Sequence, residues 1–152
     1  MKLTSIVHTG FTVSDISRSI AFYRDVLGME LVRRQEGTAP YLGTITGFPG
    51  VRLQMAFLRV SPDAPHVLEL LEYVTHAAAP TDRATNRPGN GHLCFDVDDI
   101  HEWHRVLTAK GVQSISEPVR ITAGINEGAY VVYLRDPDGF TVELFQPRSQ
   151  EH

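Results

Sequence analysis

The segment His8-Thr9-Gly10-Phe11-Thr12-Val13-Ser14-Asp15-Ile16 returns 84 residues later as His92-Leu93-Cys94-Phe95-Asp96-Val97-Asp98-Asp99-Ile100, with the shared pattern H-x-x-F-x-V-x-D-I. A second pair, Val67-Leu68-Glu69-Leu70-Leu71 and Thr141-Val142-Glu143-Leu144-Phe145, recurs at an offset of 74. Each half of the chain therefore opens with a histidine and closes with a glutamate. Self-similarity at a fixed spacing is the signature of a duplicated structural unit.

Working outward from these anchors, residues 5–13 and 91–97 alternate and are rich in Val, Ile and Phe, which predicts two strands. A helix start follows each. Ser14 or Asp15 can cap the first helix, whose apolar stripe is Ile16, Ile20, Tyr23 and Leu27 and whose stop is Gly28. Asp98 or Asp99 caps the second, with Ile100, Trp103, Val106 and Leu107 as its stripe and Lys110-Gly111 as its end. Three strands are expected after each helix: near 29–36, 51–60 and 66–73 in the first half, and near 112–121, 128–135 and 140–146 in the second. Asp136-Pro137-Asp138-Gly139 is a tight turn joining the last two. The stretch from Thr75 to Asn90 lacks periodicity and reads as a connector.

Strand alternation sorts the side chains, because residues two apart share a face. His8 faces with Gly10 and Thr12, and His92 with Cys94 and Asp96, opposite the apolar Phe11, Val13, Phe95 and Val97. Glu69 and Glu143 sit mid-strand among hydrophobic neighbours. Burying an unpaired carboxylate costs several kcal/mol at least, so such a group is expected to be neutralised, paired or bound to a metal. Taken singly, a strand histidine is ordinarily a hydrogen-bonded core or rim residue and a strand glutamate an edge charge. Symmetric recurrence calls for one explanation of all four. Two neutral imidazoles and two carboxylates around a divalent cation form a neutral cluster with room for water or substrate. His8, Glu69, His92 and Glu143 are thus the expected metal ligands.

Composition bounds the rest. The chain has 152 residues, 42% hydrophobic and 21% charged, which suits one globular domain. No apolar run reaches the ~18 residues of a membrane span, and no secretory signal is evident at the N-terminus, so a cytoplasmic protein without a membrane partner is expected. The single Cys94 cannot form an internal disulfide. A net charge of -4, with dispersed Lys and Arg, points away from nucleic acid and towards a small-molecule substrate.

Three stretches carry a resemblance to a known family: residues 7–13, the run Ser19-Ile20-Ala21-Phe22-Tyr23-Arg24-Asp25-Val26-Leu27-Gly28-Met29, and residues 134–144, which read Leu-Arg-Asp-Pro-Asp-Gly-Phe-Thr-Val-Glu-Leu. The sequence resembles the vicinal oxygen chelate superfamily over nearly its whole length. That superfamily includes lactoylglutathione lyase, methylmalonyl-CoA epimerase, extradiol dioxygenases and the fosfomycin and bleomycin resistance proteins. The resemblance implies an α+β fold of two tandem βαβββ modules, a curved mixed sheet around a metal cavity, with modules at 1–74 and 91–147 and a connector at 75–90. It implies ligands on the first and last strand of each module, at His8, Glu69, His92 and Glu143.

One scaffold hosts many chemistries. The dioxygenase and fosfomycin branches use a two-histidine, one-carboxylate set that leaves the Glu69 position without a ligand. A glutamate there resembles the lyase and epimerase branches, in which a proton moves next to a metal-chelated oxygen. The expected function is a divalent-metal-dependent epimerase, isomerase or lyase acting on a small hydroxy-ketone, 2-oxo or acyl-CoA substrate. Glu143 or Glu69 would be the base, and the metal zinc, nickel, cobalt, manganese or iron. An iron(II) extradiol-type dioxygenase and a metal-free drug-binding resistance protein are the alternatives. A homodimer is expected by family analogy. Arg52, Gln54, Asn90 and Tyr133 are candidate substrate contacts, His66 and His76 flank the fourth strand, and Cys94 reads as a small buried thiol.

Overall fold

A computed structural model describes residues 2–148. The chain divides into two compact units, Met1–Pro80 and Thr81–His152, each holding one four-stranded mixed sheet. In the first unit the order of elements is β1 (His8–Thr12), α1 (Ile16–Ile20), β2 (Glu30–Gly37), α2 (Pro40–Thr46), β3 (Leu53–Arg59) and β4 (Val67–Tyr73). In the second it is β5 (His92–Asp96), α3 (Ile100–Ala109), β6 (Val119–Arg120), β7 (Tyr130–Arg135) and β8 (Thr141–Gln146). Both sheets have the same topology, with the opening strand paired in parallel to the closing one: β1-β4-β3-β2 and β5-β8-β7-β6. The fold is thus two βαβββ modules, as expected.

Capping follows the expected residues. Asp15 accepts from the Arg18 amide and Asp99 from the Glu102 amide, each satisfying an amide that the first helical turn leaves without a partner. A second tie comes from the sheet. The first amide of α1, at Ile16, donates to Glu72 Oε2 at 2.8 Å, and the matching amide of α3, at Ile100, donates to Gln146 Oε1 at 2.9 Å. Beyond α1 the chain continues as π-type turns over Ala21–Val26 and stops at Gly28, which has a φ of 81°. Only a residue tolerant of left-handed backbone ends the helix there at no cost.

Each helix covers one face of its sheet. In the first unit Ile16, Ile20 and Tyr23 are buried, as are Ala56, Leu58, Leu68 and Leu70 on β3 and β4, against which α1 packs. In the second, Ile100 and Leu107 of α3 pack against β7 and β8, where Val132, Leu134, Val142 and Leu144 are buried. His104 takes a stripe position as well, with Nε2 3.0 Å from Ser114 Oγ, so it plays a packing role.

Two elements depart from the sequence expectation. Residues 40–46 form α2 where no helix was expected; Pro40 stands at its start and Gly47, with φ 77°, ends it in left-handed backbone. The strand expected over 112–121 shrinks to Val119–Arg120. Ile115 still donates its amide to the Tyr133 carbonyl, but the chain then leaves the ladder through Pro118, which has no amide to give.

Candidate metal centre

The opening and closing strands of each module bring one histidine and one glutamate together. In the first, β1 and β4 run side by side with Gly10 opposite Glu69, and His8 Nε2 lies 3.4 Å from Glu69 Oε2. In the second, Cys94 stands opposite Glu143, and His92 Nε2 lies 2.9 Å from Glu143 Oε2. Exposure matches as closely: the imidazoles are 48% and 49% exposed and the carboxylates 16% and 14%. Each pair therefore offers a reachable nitrogen and a largely covered carboxylate on the face away from the helix.

This donor set fits a divalent cation. Neighbouring ligands on bonds of ~2.0–2.2 Å stand roughly 2.9–3.6 Å apart, and both pairs have that spacing before any ion is considered. Imidazole nitrogen and carboxylate oxygen suit zinc, nickel, cobalt, manganese and iron alike. Two donors are too few for a closed site, and among the described residues no group of three or more His, Cys, Asp or Glu side chains is assembled to hold an ion. Each module thus presents one histidine and one glutamate side by side.

The surroundings of the two pairs differ. Opposite Glu69 on β3 lies Phe57, whereas opposite Glu143 on β7 lies Tyr133. The Tyr133 ring stacks obliquely on His92, with centroids 5.4 Å apart and planes at 34°. Burial, the Glu143 carboxylate and Cys94 raise its pKa, so the phenol keeps its proton and remains a donor. Where Gly10 brings only backbone beside Glu69, with the position of a Cβ already 3.5 Å from Glu69 Oε2, Cys94 places a thiol beside Glu143. Partial desolvation of the thiol, then the Glu143 and Asp96 charges, push its pKa up to about 11. The thiol is exposed rather than buried as expected, and it stays protonated at neutral pH.

The faces beside the pairs also differ. In the first module Leu53, Met55 and Phe57 share the Glu69 face, and Leu42 of α2 closes over it with Val51, Leu71 and Tyr73. In the second module a cavity of about 510 Å³ opens on the corresponding face and reaches Cys94, Tyr133, Glu143 and Asn126. Sequence reasoning found Tyr133, and the loop 122–128 that holds Asn126 reads as one able to line a pocket, but it missed the apolar wall formed by Val119, Ile121, Val131 and Phe145. The alternation of β7 and β8 about Glu143 was the signal for Val131 and Phe145.

The other candidate contacts are placed elsewhere. Gln54 lies on the face opposite to Met55 and Phe57 and donates to Glu36 Oε2 at 2.6 Å, so it does not join Glu69. Arg52, even in number like Gln54, precedes β3 and is held through its backbone by Thr75 Oγ1 and the Val74 amide. The Asn90 amide donates to the Asp82 and Ala84 carbonyls and fastens the connector. His66 Nε2 lies 2.9 Å from Thr9 Oγ1, and His76 packs on Phe48.

Residues 5–144 match the model of the Glyoxalase/Bleomycin resistance protein/Dioxygenase superfamily. The chain belongs to that superfamily. Within it, the chain is 30% identical over 145 residues to lactoylglutathione lyase of Haemophilus influenzae, covering 95% of this chain and 93% of that protein. It is 29% identical over 140 residues to lactoylglutathione lyase GLX1 of Arabidopsis thaliana, where it spans 92% of its own length but only 43% of the plant protein's. The crystal structure of a glyoxalase family protein from Bacillus cereus superposes with a TM-score of 0.84 at 22% identity, covering 98% of this chain and 97% of that one, a likeness of fold. Among the described residues of this superfamily member, no helix is long and apolar enough to cross a membrane.

Proposed function

We propose that this superfamily member is a divalent-metal-dependent lyase or isomerase of the glyoxalase type, which moves a proton at the carbon next to a chelated carbonyl. The observation that carries the reading is the recurrence of one His–Glu pair, with matching exposure and ligand-like spacing, at equivalent positions of both modules. His8, Glu69, His92 and Glu143 together would complete the ligand set, and a homodimer is the assembly we propose for it. The similarity to lactoylglutathione lyases supports the lyase branch. Epimerisation is the same proton transfer with return to the opposite side.

A bound divalent ion supplies Lewis-acid polarisation of two neighbouring substrate oxygens, which acidifies the adjacent C–H. The chain's own groups do the rest. Glu143, mostly covered and held beside His92, takes the proton on a carboxylate oxygen, and Glu69 is the second carboxylate able to return it. Tyr133, still protonated, donates a hydrogen bond towards the oxygen on which negative charge develops. The dioxygenase alternative requires Glu69 to stand apart from the ligand set, whereas here it is held against His8.

The test is solvent exchange. Metal-loaded protein incubated in heavy water with lactoylglutathione, and separately with simple hydroxy-ketones, is expected to place deuterium at the carbon next to the carbonyl. Glu143→Gln is expected to slow that exchange by at least about a hundredfold. Exchange absent from every substrate, or unchanged by substitution of both glutamates, would defeat the proposal.

A further inference from the structure

Two buried side-chain polar atoms among the described residues lack a hydrogen-bond partner, and one of them is Arg83 Nε. Among the same residues the Arg83 guanidinium makes no ion pair; it lies over the Phe140 ring, with Cζ 4.0 Å from the centroid. The connector is built to hold it there. Asn90 Nδ2 donates to the carbonyls of Asp82 and Ala84, the residues on either side of Arg83, at 3.0 and 2.9 Å, and Asp82 Oδ1 accepts from the Ala84 amide. Across from it Gly139 makes room: its φ is 79°, and a Cβ there would stand 3.3 Å from Arg83 Cγ.

A second guanidinium lines the same cleft. Arg135 Nη1 donates to the Gly139 carbonyl and to Thr141 Oγ1, at 3.0 and 2.7 Å, and the side chain meets no carboxylate among the described residues. Neighbouring acids are engaged elsewhere. Asp82 Oδ2 accepts from Arg87 Nε at 2.7 Å, and Asp136 Oδ1 accepts from the amides of Asp138 and Phe140. Two like charges in one cleft, one of them with a buried N–H left unbonded, are unfavourable unless an anion lies between them.

From this cluster we infer that Arg83 and Arg135 bind an oxyanion, a carboxylate or phosphate group, in the cleft between the connector and the Asp136–Gly139 turn. The planar fork of a guanidinium matches two oxygens of either group. As it stands the cleft is too narrow for a free water, but the head of Arg83 is held by stacking alone and can slide over Phe140 to admit an oxygen. Two sources supply such a group: a free ion, or an anionic end of the substrate. The second is open because Arg135, two residues from Tyr133 on β7, shares the sheet face of Glu143. Only that source rests on the proposed metal-dependent reaction.

The probe is inorganic phosphate added to metal-free protein, with the side-chain Nε–H resonances of arginine followed by NMR. The Arg83 resonance, slow to exchange with water because the atom is buried, is expected to shift saturably, and chloride at the same ionic strength should not reproduce the shift. By calorimetry, Arg83→Gln and Arg135→Gln should each weaken phosphate binding at least about tenfold, the loss of one charge-assisted contact. Arg120→Gln, at an exposed arginine outside the cleft, should change it less than about twofold. Arg83 makes no hydrogen bond, so Arg83→Gln should keep the amide spectrum elsewhere and remains informative even if Arg135→Gln disturbs the turn. The source is read on metal-loaded protein: glutaric monohydroxamate displacing phosphate assigns the site to the substrate's own carboxylate. Binding beside phosphate, or not at all, assigns it to a free ion, and either assignment supports the site. No saturable phosphate shift, a shift that survives Arg83→Gln, or an equal loss with Arg120→Gln overturns the inference.

Discussion

The first module is a plugged cup and the second an open one, although both are built on the same strand order and the same helix-capping scheme. Both modules keep the parallel pairing of opening and closing strands, the Asp cap and the His–Glu pair. The residues beside the two pairs differ. Phe57 and Gly10 beside Glu69 correspond to Tyr133 and Cys94 beside Glu143. The two modules thus share their strand pairing, caps and His–Glu pairs and differ in what surrounds those pairs.

The largest expected effect tests the symmetric part. Substituting either histidine, His8→Ala or His92→Ala, should reduce bound metal from about one ion per full ligand set to near none, with activity lower by at least about a hundredfold. Elemental analysis of the purified variants checks this. A variant that kept its metal after losing one module's pair would show that the pairs are not equivalent.

Next in size is the plug. Leu42→Ala leaves a void over Met55 and Leu53 and should destabilise the protein by about 2–4 kcal/mol, read by chemical denaturation. Val131→Ala, on a wall already facing open space, should cost clearly less than Leu42→Ala. Equal losses would mean that the second face is as tightly closed as the first. The helix ties should follow at about 1–2 kcal/mol, with Glu72→Ala costing more than Gln146→Ala because only the former removes a charged acceptor.

Smallest is the exchange of the residues beside the pairs. Tyr133→Phe makes the second module like the first, and it should lower kcat by roughly tenfold while leaving metal content unchanged, as expected for a lost donor to developing charge. Metal-free protein should also alkylate slowly at Cys94 at neutral pH. With the thiol pKa at about 11, the rate should rise steeply as pH climbs above 9, because the thiolate is the reacting form.

Much of this arrangement was legible in the sequence. That His8 lies beside Glu69 and His92 beside Glu143 was readable, because a period-2 strand fixes their face and the repeat fixes their partners. Asp15 and Asp99 were readable as caps from short-range hydrogen bonding alone. Helix α2 was not, since Pro40, Gly43, Thr44, Thr46 and Gly47 dilute any periodicity, and the face of Leu42 is set by Met55 and Leu53 across the sheet. The face of Gln54 was equally hidden. Leu53, Met55, Ala56 and Leu58 are all buried, so β3 covers hydrophobic surface on both sides and shows no alternation to read. The short β6 was hidden too: after Ile115 the chain leaves the ladder and rejoins it at Val119, just past Pro118, which has no amide to give.

The strand that presents each donor also fastens the helix behind it. Glu69 and Glu72, like Glu143 and Gln146, are three residues apart and so point to opposite sides of the sheet. A slip of one residue in β4 or β8 would swing the donor into the helix layer and unhook the helix amide in the same movement. Misalignment is thereby penalised twice, and a correctly docked helix certifies that the carboxylate on the far side is in place.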